Sequence, residues 1–290
     1  MGELTQLDGE LRAMASGYSG KATFALTDLG SGEHIGRDED DVMPTASLIK
    51  VPILVALYRA AQDGLVALTD RIAYREDQKV LGSGVLVHLT PGVEMTVRDA
   101  ATLMIIISDN VATNMMIDLV GLERINQTMR GLGLTQTTLF QRLGDRQAGL
   151  DARKMSVSTA REMARLLELI ARHEAVSAEA SEDMLRIMRR QDYRHELSSR
   201  LPWNELNRLD DHKNNWVAEK GGAFLNGIRC SGAVFHGVRG SFVLATFCEG
   251  GTGSGRAAEG NILLGDLGYA AWRGILHPAQ PPAAPLTTGH

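Results

Sequence analysis

The chain has 290 residues and a mass of 31.4 kDa, 44% of them hydrophobic and 22% charged, enough to bury a large core as one unit or two closely packed lobes. A formal net charge of −5 and a pI near 5.9 leave no basic excess, which argues against nucleic acid or an anionic membrane as partners held by long-range attraction. Apolar runs such as residues 103–107 are far too short to cross a bilayer.

In chain order, residues 3–15 read as an acidic amphipathic helix. The N-terminus shows no basic start followed by an apolar run and small residues, so a cytoplasmic protein is expected unless a leader has been removed. Ala22 to Leu29 and Gly32 to Gly36 read as two strands of a hairpin around Leu29-Gly30-Ser31. From about Ala46 to about Arg194 apolar residues recur at three- and four-residue intervals, predicting helices over 47–62, 97–107, 110–120, 122–131, 157–172 and 180–190. Strands return at Trp216 to Glu219, Ile228 to His236 and Ser241 to Cys248, with Gly237 and Gly240 bracketing the last turn. A helix over about 258–275 closes the fold, and 277–290 has the composition of a flexible tail.

This order predicts an α+β architecture: one antiparallel sheet built from both chain ends, flanked by helices, with an all-helical lobe inserted between them. The corresponding domains are 1–40 with 200–276, and 41–199. A cleft between lobes is a natural place for a small molecule.

Two cysteines, Cys230 and Cys248, and eight scattered histidines give no thiolate cluster and no His-Glu-x-x-His, so neither a metal nor another cofactor is expected. A hairpin turning at 238–239 would bring the two cysteines almost opposite each other, as reduced, buried thiols.

Three segments carry chemistry. In Thr45-Ala46-Ser47-Leu48-Ile49-Lys50-Val51-Pro52, Ser47 and Lys50 are one helical turn apart, so the amine lies beside the hydroxyl, and burial would lower its pKa until it can take the serine proton. The helix N-terminus also favours charge developing on an attacked carbonyl. Read alone, Ser47 is equally a helix cap and Lys50 a solvated charge. In Ser108-Asp109-Asn110, between two predicted helices, Ser108 is placed to relay a proton, Asn110 to hold a substrate amide, and Asp109 to tie the loop to backbone N–H groups. All three also suit plain capping. In Lys220-Gly221-Gly222-Ala223 the glycines permit close approach of a ligand, and the N–H groups of Ala223 and Ser47 would form an oxyanion hole; Gly-Gly also marks an ordinary strand end.

Taken together and in this order, Ser-x-x-Lys, Ser-Asp-Asn about sixty residues on and Lys-Gly-Gly some 110 further resemble the class A β-lactamases of the penicillin-recognising β-lactamase/transpeptidase superfamily. The resemblance extends from residue 3 to about 275. It implies a five-stranded antiparallel sheet, an acyl-enzyme on Ser47 assisted by Lys50 and Ser108, Lys220 near a substrate carboxylate, and a monomer acting on a small acyl compound such as a β-lactam. A D-alanyl peptidase or esterase of the same fold shares these motifs, and so does a sensor that acylates and stays acylated. The absence of G-x-S-x-G argues against a strand-elbow esterase.

Two features depart from the family pattern. Gly221 stands where a Thr or Ser usually follows the lysine and helps bind the carboxylate. The loop from Thr135 to Val157 lacks the Glu that activates the deacylating water; its acids are Asp145 and Asp151, with Asp145 nearest the expected place, where a surface ion pair is an equal reading. Ser83, in Gly82-Ser83-Gly84, falls in a substrate-facing loop or a plain turn. Arg229 is a candidate anchor for a carboxylate in place of the missing hydroxyl, or else a solvated edge charge.

Overall fold

The structure, a computed structural model, describes residues 3–144, 151–202, 215–255 and 258–277. Its helices are α1 (Glu3–Ser16), α2 (Lys50–Gln62), α3 (Val97–Ile106), α4 (Asn110–Val120), α5 (Leu122–Gly131), α6 (Ala160–Ala171), α7 (Ala178–Arg189) and α8 (Glu259–Leu276). Its strands are β1 (Lys21–Asp28), β2 (His34–Arg37), β3 (Met43–Pro44), β4 (Arg71–Ala73), β5 (Glu94–Thr96), β6 (Thr138–Leu139), β7 (Ser156–Ser158), β8 (Trp216–Ala223), β9 (Arg229–Gly237) and β10 (Gly240–Glu249). Among the described residues no helix is long and apolar enough to cross a membrane.

Five strands form one antiparallel sheet in the order β2-β1-β10-β9-β8. The register of β1 on β10 runs from Lys21 opposite Glu249 to Asp28 opposite Phe242, so the two ends of the sequence are joined by backbone hydrogen bonds and the sheet is made from both, as expected. Successive side chains of a strand point to opposite faces. Phe242 and Leu244 of β10 meet Phe24, Phe235 and the α1 and α8 residues Leu11 and Leu267 on one face. Val243, Ala245 and Phe247 meet Leu48, Met163 and Leu167 on the other. Both faces are covered, which is why these strands read as nearly continuous apolar runs.

The second core continues into the helical part, where α2 is its axis: Lys50 through Tyr58 are all buried. A helix apolar on every side is an interior helix. Lys50 is therefore carried into the core by its neighbours.

Two small sheets escape the periodicity analysis, because strands of two or three residues contain no full repeat: β3-β7-β6 and β4-β5. The first also shortens a predicted helix. Residues 156–158 pair in β7, and Thr159 caps α6 by accepting the Glu162 N–H at 3.1 Å. The two cysteines are free, buried and almost opposite each other on neighbouring strands, as expected, and the register adds which way each faces. The turn falls at 238–239, and Cys230 stands opposite Phe247 and Cys248 opposite Arg229. One residue of offset puts the two free, buried thiols on opposite faces of the sheet.

Helix α8 also holds the segment after α7. At Gly268 a Cβ would lie 1.9 Å from the carbonyl oxygen of Leu197 and 2.7 Å from its carbon, so the helix backbone and residues 196–198 touch directly. Neither partner can yield without moving main chain. Gly268→Ala is expected to destabilise the protein by about 1–3 kcal/mol through overpacking, read as a lower midpoint in thermal or urea unfolding; an unchanged midpoint would contradict this packing.

Candidate active site

Ala46–Ile49 form a single 3-10 turn that leads into α2 at Lys50. Ala46 has φ of +40°, a region that costs a residue with a Cβ and is seen mostly at functional turns. The turn leaves Ser47 half-buried on a cleft wall, while Lys50, one turn on, is completely buried. The Lys50 Nζ lies 2.6 Å from the carbonyl oxygen of Ser108, 2.9 Å from its Oγ and 2.8 Å from Asn110 Oδ1.

Burial is the main cause that pushes the Lys50 amine well below its ordinary pKa, and the charge of Lys220 adds to it; Asp109 opposes weakly. A neutral amine has two N–H bonds and one lone pair. The Ser108 carbonyl and Asn110 Oδ1 are obligate acceptors and use the two N–H groups. The lone pair is thereby left for a hydroxyl, either that of Ser108 or that of the nucleophile.

The Ser108-Asp109-Asn110 turn follows α3 and opens α4. Ser108 has φ of +55°. Asp109 is the N-cap: its Oδ1 accepts the Ala112 N–H at 2.9 Å, and its Oδ2 accepts those of Val85 and Leu86 at 2.7 and 2.9 Å. It ties the 82–86 loop to α4, a scaffold role. Gly84 is required there, since its φ is +109° and a Cβ would lie 2.3 Å from the Asp109 carboxyl. Ser83 lines the cleft, but its hydroxyl already donates to the Ser108 carbonyl at 2.6 Å. Asn110 donates through Nδ2 to the Leu81 carbonyl at 3.2 Å.

Strand β8 supplies the opposite wall. A Cβ at Gly222 would stand 2.7 Å from the Ser47 nitrogen and 2.9 Å from that of Leu48, so the strand runs against the Ser47 turn. Ala223 follows at the open end of the strand and lines the cleft. The fully buried Lys220 donates to the Gly221 carbonyl at 2.5 Å. Burial pushes its ammonium down to about 8, against the nearby Glu196, Cys230 and Glu219, which favour the charged form.

These residues enclose a cleft of about 680 Å³ that gathers Ser47, Ser83, Ser108, Asn110, Lys220 and Ala223. Arg229 is outside it, which corrects the expectation of an anchor. Its Nη1 donates to the carbonyls of Ile228 at 2.7 Å and Phe224 at 3.1 Å, and its stem packs where Gly260 of α8 has no side chain. It is a half-buried brace of the 224–228 turn. Asp145 lies outside the described residues. Asp151 lines the cleft and caps the 3-10 turn Ala152–Lys154 by accepting the Arg153 N–H at 3.0 Å. Among the charged residues that line the cleft, Arg142 and Glu196 were not singled out from the sequence; Glu196 is nine-tenths buried beside Gly221.

A model of the beta-lactamase enzyme family matches residues 6–275. The chain belongs to that family. Over 112 residues it is 30% identical to the β-lactamase L2 of Stenotrophomonas maltophilia, a stretch covering 39% of this chain and 37% of that enzyme. Similar solved structures include the β-lactamase of Sphaerobacter thermophilus, 28% identical, with a TM-score of 0.82 over 93% of this chain and 96% of that one. PBP-A is 27% identical with a TM-score of 0.79 over the same shares, and a mutant of it is described as an acyl-enzyme complex with penicillin G. Backbone contacts hold β8 against the Ser47 turn, and Gly222 tests this most sharply. Gly222→Ala is expected to slow labelling of Ser47 by a serine-reactive fluorophosphonate about 10²-fold, because a displacement of about 1 Å at a reacting centre costs that much; labelling at the parent rate would contradict the placement.

Proposed function

We propose that this β-lactamase-family chain is a serine hydrolase that opens the amide of a β-lactam, or of a closely related activated acyl compound, through an ester on Ser47. The observation that carries the reading is the buried Lys50 amine, bonded to Ser108 and Asn110 and starved of charge by its surroundings. Ser47 Oγ attacks the carbonyl carbon while Lys50 takes the hydroxyl proton, directly or through Ser108. The N–H groups of Ser47 and Ala223 receive the oxyanion. The C–N bond then breaks, and Ser108 passes a proton, replenished from Lys50, to the leaving nitrogen. Water afterwards cleaves the ester, returning the Ser47 hydroxyl and releasing the acid.

The likeness to the Sphaerobacter thermophilus β-lactamase and to PBP-A supports the same acyl chemistry. So does a cleft whose walls combine the convergent polar groups with apolar Val80, Met155 and Phe224, suited to an apolar acyl side chain.

With a chromogenic cephalosporin the protein is expected to give steady turnover without a lasting adduct by intact mass, and Ser47→Ala to reduce turnover by roughly 10³-fold or more. Undiminished turnover by that variant would remove Ser47 as nucleophile. A stoichiometric burst with a stable adduct would keep the nucleophile and overturn the hydrolysis.

A further inference from the structure

We propose that Glu196 sets the charge selectivity of the cleft at its Lys220 end, disfavouring an anionic group on the substrate there and admitting an uncharged one. This rests on the acyl chemistry proposed above.

The placement is steric first. A Cβ at Gly221 would lie 2.4 Å from the Glu196 carboxyl carbon and 2.5 and 2.8 Å from its two oxygens. The carboxyl group therefore fills the volume that a side chain at 221 would occupy, which is where the class A resemblance implies a hydroxyl for a substrate carboxylate. The glycine and the acid are one feature: neither a Thr nor a Ser fits at 221 while Glu196 stays. Its position is fixed from behind, since Oε2 accepts the His195 N–H at 3.2 Å and the next residue, Leu197, is clamped by Gly268 of α8.

The charges around it define what it can do. Lys220 and Glu219 come from β8 and Arg229 from β9; His195, its chain neighbour, stacks on Tyr193 and also lines the cleft. Glu219 is already satisfied by the hydroxyls of Ser198 and of Ser231, the latter at 2.8 Å. Burial and the Glu219 charge push the Glu196 carboxyl up to about 7, with Lys220 opposing. Below that pH Glu196 is a neutral acid able to donate a hydrogen bond to an anion beside Lys220. Above it Glu196 is an anion that cancels the lysine and repels a substrate carboxylate.

Benzylpenicillin and its methyl ester differ in that one charge. The acylation rate of Ser47 by each is measured by intact mass in the parent and in Glu196→Gln, and the acid-to-ester ratio of the variant is divided by that of the parent. Titration of Lys50, common to both compounds, largely cancels, whereas Glu196→Gln removes a charge that helps Lys220 keep its proton; that change weakens the variant's hold on an anion as pH rises, so it opposes the expected rise and cannot produce it. The quotient is expected near one at pH 5.5 and to rise about tenfold by pH 8, following the fall in protonated Glu196. A quotient that does not change with pH, whatever its value, overturns the proposal and leaves Glu196 a structural residue. If neither compound acylates either protein at either pH, the β-lactam reading falls and this inference with it.

Discussion

The arrangement depends on one constraint: two lysines are buried behind opposite walls of one cleft, and they differ in the negative charge around them, Glu196 and Glu219 acting on Lys220 where Asp109 alone acts on Lys50. Lys220 keeps Glu196 and Glu219 within electrostatic reach. Lys50 has only carbonyl, amide and hydroxyl oxygens at its Nζ. An isolated buried ammonium is far more costly than a hydrogen-bonded buried amine, so burial draws Lys50 toward the neutral amine, while the carboxylates near Lys220 keep it charged to higher pH. The division proposed between a base at Lys50 and an electrostatic group at Lys220 follows from which residues surround each amine.

That division is held by rigid elements. α2 is interior along most of its length and fixes Lys50 along its axis. Asp109 binds the start of α4 to the 82–86 loop, and β8 lies against the Ser47 turn by virtue of Gly222. Positive φ occurs at two non-glycine residues here, Ala46, which opens the Ser47 turn, and Ser108, whose carbonyl accepts from the Lys50 amine. Strain of this kind persists only where surrounding structure over-determines the backbone, and here the surroundings are the core itself.

Much of this was legible in the sequence, for identifiable reasons. Ser47 with Lys50 is a local spacing, and Ser108-Asp109-Asn110 is a helix junction whose capping chemistry can be read directly. The five strands of the main sheet are eight to ten residues long, save for the four of β2, and β1, β9 and β10 are rich in β-branched and aromatic residues. Glu196 was not legible: it sits on irregular backbone after α7, without period or motif, and reaches the cleft through a contact between Leu197 and Gly268 seventy-one positions away. Arg229 was misplaced for a related reason, because the carbonyls of the tight turn beside it draw its Nη1 away from the cleft. The cysteines lie almost opposite each other as read, and the one residue of register between them, which the sequence does not give, sets them on different faces of the sheet.

The claim beneath all of this is that the Lys50 side chain is an amine in the resting protein. Following its Nζ by nitrogen-15 NMR, assigned with Lys50→Arg, measures that state directly. The account predicts a titration midpoint well below the 10.5 of an exposed lysine; a midpoint at or above that value would leave Ser47 without its base and contradict the mechanism.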